Sequence, residues 1–112
     1  MAGNAKVNAA EPANLAGMVQ YQEGAVVSRI LLQDQTGTMT VFSFDAGQAL
    51  SEHTVPFNAF IQVLDGTARV TIGGKKVSVN EGEIVLMPGG VPHEVEAPVR
   101  FKMLLTLFKT KS

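Results

Sequence analysis

Two residues of this chain can do acid–base or metal chemistry near neutral pH: His53 and His93, its only histidines. Imidazole is the one side chain whose unperturbed pKa lies near neutrality, and in its neutral form it is also a common metal ligand. The chain has no cysteine, which excludes thiol nucleophiles, disulfides and zinc fingers and leaves stability to packing. Both histidines fall in residues 47–93, each in an apolar segment bounded by glycine and proline. Glu52 is a poor partner for His53, because neighbouring strand residues point to opposite faces. Gln62 alternates out of phase with Ala59, Ile61 and Val63, and reaches their side only if a bulge changes parity after Pro56.

The elements that must position these histidines read as strands. AVVSRILLQ (25–33) is rich in β-branched residues and runs into a turn-forming cluster at 34–37. TMTVFSFD (38–45) places Thr40, Phe42 and Phe44 on one face and Met39, Val41 and Ser43 on the other. FNAFIQVL (57–64) is a further strand, and Asp65-Gly66 predicts a tight hairpin joining it to TARVTI (67–72). Gly73-Gly74 predicts a second turn, with residues 76–79 pairing back, and Asn80-Glu81-Gly82 precedes the apolar run 84–87. Beyond Pro88-Gly89-Gly90, His93 alternates in phase with Val91 and Val95. The last strand puts Val99, Phe101, Met103, Leu105 and Leu107 on one side, which must be buried. Phe42, Phe44, Phe60, Met87, Phe101, Met103 and Leu105 read as core, some of them lining a cavity. No window has a helical period, and turns recur at the spacing of an all-β sandwich or barrel.

A chain of 112 residues, 46% hydrophobic and 17% charged, suits one domain with a single buried core. Its formal net charge of -1 and the absence of any basic cluster beyond Lys75-Lys76 and Lys109/Lys111 argue against nucleic acid. No run approaches the ~20 apolar residues that span a bilayer, and the N-terminus lacks a signal-peptide core, so a cytoplasmic protein is expected. Residues 1–17 are expected to be a flexible arm, with docking by Leu15, Met18 and Val19, and residues 18–110 a single domain.

The central stretch resembles the cupin superfamily, in particular its small single-domain bacterial (RmlC-like) members. The family's first motif begins with glycine, five residues, then His-x-His, a glutamate, and a closing glycine; here Gly47, His53 and Gly66 fall in register. In the second motif Gly82, Pro88, Gly90 and His93 match. The resemblance implies an all-β double-stranded β-helix, the cupin jelly-roll barrel, with both histidines projecting inward to hold a divalent metal (Zn, Fe, Mn or Ni). The usual second histidine falls on Val55, the glutamate on Ala59 and the final asparagine on Ala97, so two of four ligands remain. Mononuclear sites normally use at least three protein ligands.

Two readings follow. In the first, the barrel binds a small, largely apolar molecule, with a two-histidine metal site or none, through His53, His93, Val55, Ala59, Phe101 and Met103. In the second, it is a metal-dependent dioxygenase or isomerase that uses His53 and His93 as ligands. A third reading, a structural module, requires a barrel filled by side chains. Family membership selects no reaction and no catalytic residue. The resemblance also implies a homodimer, which uncovered sheet edges favour.

Overall fold

The computed structural model describes residues 4–5 and 7–109; positions 1–3 and 6 of the expected arm, and residue 110 of the expected domain, lie outside the described residues. Short strands rich in β-branched and aromatic residues follow one another between glycine and proline turns. They are β1 (Asn4–Ala5), β2 (Val26–Asp34), β3 (Gly37–Phe44), β4 (Ala49–His53) and β5 (Ala59–Asp65), then β6 (Thr67–Ile72), β7 (Lys75–Asn80), β8 (Ile84–Met87), β9 (His93–Glu96) and β10 (Phe101–Phe108). The only described helix is one 3-10 turn, Ala16–Met18. None is long and apolar enough to cross a membrane.

The strands form two antiparallel sheets, in the orders β1-β2-β3-β10-β5-β8 and β4-β9-β6-β7. The chain passes repeatedly from one sheet to the other, as in a jelly roll, and the inner faces enclose one core. Phe44 and Phe101 stack at its centre, ring centroids 4.4 Å apart and 13° from parallel, both fully buried. Ile61, Val63, Ala68 and Val70 are also fully buried in this cluster. Burying each large apolar side chain contributes about 1.5–3 kcal/mol.

A second apolar cluster lies on the opposite face of the six-stranded sheet. Val41, Leu31 and Leu104 are buried there under Val19, with Leu15 and Met18 packed against them. The alternation of β3 produces both clusters, Phe42 and Phe44 facing one and Met39 and Val41 the other. Polar ties hold the segment in place: Ser43 Oγ donates to Gln20 O at 2.8 Å, and Lys102 Nζ to Ala16 O at 2.7 Å. Tyr21 donates its hydroxyl to the Asp65 carboxylate beneath the Arg100 guanidinium, 4.5 Å from its ring centroid. Burial, and then that hydrogen bond, push the Tyr21 phenol well above its ordinary pKa and keep it a donor.

Three sequence expectations need correction. Asp65-Gly66 is no hairpin, because β5 and β6 belong to different sheets. It is a corner: Gly66 has φ +75°, and an added Cβ would stand 2.3 Å from Arg100 O, so the chain turns against β10 where only glycine fits. The Gly73-Gly74 hairpin forms as expected, pairing Ile72 with Lys75. Val99 lies before β10 and is 49% exposed, while Leu104, on the polar phase of that strand, is buried in the second cluster. Phe60 is not core; its ring meets Phe108 edge-on at 6.1 Å on the outer face of the sheet.

Candidate functional site

Strands β4 and β9 are neighbours, and their register sets His53 directly opposite His93. Between Leu50 and His53 the register shifts, so both line the interior although they stand three residues apart. The turn after β8 is pinned to the chain beyond β4: Gly90 N donates to Val55 O at 2.7 Å, and Gly89 N to Asn58 Oδ1 at 2.9 Å. Gly89 packs so closely on Pro56 that a Cβ would lie 2.7 Å from its carbonyl oxygen.

The histidines occupy one wall of a cavity of about 430 Å³. The six-stranded sheet contributes Ala59 and Ile61 from β5, Met87 from β8, and Met103 and Leu105 from β10. Leu50 and Val95 flank the histidines, and Val55 sits on the connection out of β4. His53, His93, Val55, Ala59 and Met103 therefore meet around one space. Phe101 does not join them; stacked on Phe44, it belongs to the packed core. Regular alternation keeps Gln62 exposed on the outer face of β5, and Glu52 is exposed on β4. Leu50 was hidden from sequence reasoning by the bulge, and Ile61, Val95 and Leu107 by their likeness to ordinary core. Only their phase with Ala59, His93 and Met103 marks them as inward.

The imidazoles converge. Nε2 of His53 and Nε2 of His93 are 3.2 Å apart. Nδ1 of His53 lies 3.1 Å from Ser51 O and Nδ1 of His93 3.4 Å from Val91 O. A carbonyl can only accept, so an Nδ1 bonded to it carries the ring proton, and with both rings neutral the two Nε2 lone pairs are left facing one another. A shared proton, the hydrogen-bond donor of a ligand, or a metal ion would satisfy that pair. His93 is buried, which, followed by the charge of His53, lowers its pKa from the ordinary value and keeps it neutral at neutral pH. A backbone carbonyl holding the far N–H is also how metal-ligating histidines are oriented.

The donor set does not suit the divalent ions that the family resemblance implies. Among the described residues no group of three or more His, Cys, Asp or Glu side chains converges. Val55 and Ala59 offer only hydrocarbon to the cavity, so a hard divalent metal would have two imidazoles where three or four donors are usual.

The family model for the cupin domain matches residues 40–107. A conserved protein of unknown function from Streptococcus pyogenes is similar over the whole chain, at 34% identity and a TM-score of 0.92, with 98% of its own length covered. A cupin 2 conserved barrel domain protein from Leptotrichia buccalis is 42% identical with a TM-score of 0.84, over 87% of this chain and 47% of that one. A cupin superfamily protein from Desulfitobacterium hafniense shares the fold, at 24% identity and a TM-score of 0.87, over 98% of this chain and 99% of its own. None of the curated proteins compared matches the chain.

Proposed function

The chain belongs to the cupin family, and on that premise we propose that its barrel binds a small, largely apolar molecule whose polar group meets His53 or His93. The observation that carries this reading is the cavity itself. A barrel filled by side chains would have no such space, whereas 430 Å³ lies within the range of small-molecule sites. Its walls are hydrocarbon and thioether except at the histidine pair and Ser51, so the ligand is oriented by one polar end and held by its apolar body. A group that donates a hydrogen bond, such as a hydroxyl or carboxylic acid, resolves the facing Nε2 lone pairs.

The test is a thermal-shift and NMR titration of chelator-treated protein with small aromatic alcohols and phenols, benzyl alcohol and 1-naphthol included. Leu105→Trp, which fills the cavity, is the control. A ligand at 100 times its Kd stabilises by about 2.7 kcal/mol, and that gain should vanish in the filled variant. Equal responses from both proteins, or none from either, overturn the reading.

The convergent imidazoles favour a second reading, a metal-dependent dioxygenase or isomerase that uses His53 and His93 as ligands. A metal would act there as a Lewis acid. Turnover and metal lost together on His93→Ala would support it; protein grown in Fe, Mn, Ni and Zn that keeps none of them overturns it. The homodimer is a further part of the proposal. It is supported by the free edge at β8, where Ile84 and Leu86 are exposed, and light scattering should give twice the 11.9 kDa of the chain. A monomeric mass at micromolar concentration refutes it.

A further inference from the structure

The bite of the two histidines says what kind of ion they can share. If a metal bonds both Nε2 atoms at ~2.05 Å, their 3.2 Å separation makes the N–metal–N angle roughly 103°. That is a bent arrangement, close to tetrahedral, and it leaves positions for further ligands on the cavity side. No carboxylate lines that space. Its remaining heteroatoms are those of Ser51, whose carbonyl already faces His53 Nδ1, and the thioethers of Met87 and Met103.

Met87 is the better placed of the two. It is the last residue of β8 and pairs directly with Ala59, the position at which the family's carboxylate ligand is replaced. The turn that follows it is tied to Val55 O and leads into His93, so Met87 stands at the histidine end of the barrel. Met103 pairs with Val63 and Phe42, two rungs farther along β10 toward the Phe44–Phe101 stack. Met87 is 3% exposed and lines the same cavity as the histidine pair, and its thioether is a soft, uncharged donor.

We infer that His53, His93 and Met87 form a site for monovalent copper, in place of the family's divalent metal. Imidazole and thioether together are a soft set that favours Cu(I), whereas the harder divalent ions are better served by imidazole with carboxylate. The apolar wall points the same way. The cost of taking an ion out of water rises with the square of its charge, so a single charge is far cheaper to bury than a double one. The ion takes the position between the Nε2 atoms that the apolar-ligand reading gives to the ligand's polar group, so the two occupants compete there and separate probes tell them apart.

The experiment is an anaerobic titration of the full chain, stripped of metal, with Cu(I) in competition with a chromophoric Cu(I) chelator. Parallel samples receive Zn(II), Ni(II), Mn(II) or Fe(II) and are gel-filtered before elemental analysis. One Cu(I) per chain is expected, with none of the divalent ions retained at stoichiometry, and X-ray absorption should show sulfur beside imidazole nitrogen around the copper. Met87→Leu nearly conserves volume and should fold, yet weaken Cu(I) binding by about 10-fold or more and erase the sulfur shell, whereas Met103→Leu changes affinity by less than about 2-fold. Stoichiometric zinc or nickel that Cu(I) does not displace, uptake untouched by Met87→Leu, or copper retained by folded His93→Ala overturns the assignment. Protein that binds 1-naphthol but no copper fails this inference alone; protein that binds copper but no aromatic probe fails only the ligand reading.

Discussion

If Val55 and Ala59 are what keep divalent metals out, then restoring the family's ligands at those two positions should create a zinc site in this barrel. Both residues line the cavity that holds the imidazole pair, and Ala59 is 2% exposed on a strand end beside Met87. In Val55→His/Ala59→Glu the new carboxyl enters an apolar space, so the metal-free variant should lose about 1–3 kcal/mol, the cost of a buried group without a partner. Zinc at 1,000 times its Kd then contributes about 4.1 kcal/mol. At about 4 °C per kcal/mol for a domain of this size, the zinc-loaded variant should melt about 16 °C above its metal-free form. The wild type, with two donors, should move by less than about 3 °C under the same zinc concentration. Differential scanning calorimetry with and without a chelator reads both numbers. A wild-type shift equal to the variant's would show that two imidazoles already make a divalent site. A folded double variant that zinc leaves unchanged would show that positions 55 and 59 do not face the pair as the cavity lining indicates.

Packing and charge make three further predictions. Phe101→Ala should cost about 3–5 kcal/mol in urea unfolding, since it removes a fully buried ring stacked on Phe44; a loss below about 1 kcal/mol would place Phe101 outside the core. Gly66→Ala should destabilise by about 3 kcal/mol or more and Gly47→Ala by only about 1–2 kcal/mol: both have positive φ, but only at Gly66 does the new Cβ meet backbone, at 2.3 Å from Arg100 O, so equal losses would refute the corner. The Asp45 carboxylate accepts a hydrogen bond from Gly24 N at 2.7 Å, and that bond, with the nearby Arg100, lowers its pKa from 3.8. Its contribution is present above that value and is lost as pH falls through the lower, folded one, so Asp45→Asn should flatten the acid end of a stability–pH curve and leave the change between pH 6 and 8 as it was.

Which strands exist was legible from alternation and turn chemistry; which strands pair was not. The phase of β3 correctly divides Phe42 and Phe44 from Met39 and Val41, because a strand with apolar residues on both faces must be covered on both. An Asp-Gly turn, by contrast, supplies the same positive φ to a hairpin and to a corner between sheets. The choice at Gly66 is made by Arg100 and Phe101, more than thirty residues away, whose backbone closes over it. Leu104 shows the same limit. It occupies the polar phase of β10 and is buried only because Leu15, Met18 and Val19 fold back over that face, a contact that no local pattern announces.

The site divides along the same line. His53 and His93 announce themselves by type, and their motif register places them on neighbouring strands, so the pocket was readable in outline. Their chemistry depends on atoms that a sequence does not order. Two backbone carbonyls, Ser51 O and Val91 O, lie against the Nδ1 atoms of the two rings, and a bulge in β4 decides that Leu50 and His53 look inward together. Met87 read as core because a thioether on an apolar strand packs like any hydrocarbon. It becomes a candidate donor only once the pairing of β8 with β5 sets it beside Ala59. With hydrocarbon at Val55 and Ala59 and a thioether at Met87, the proposed ligand and the inferred copper site share one preference, for partners that an apolar cavity can accept without burying a double charge.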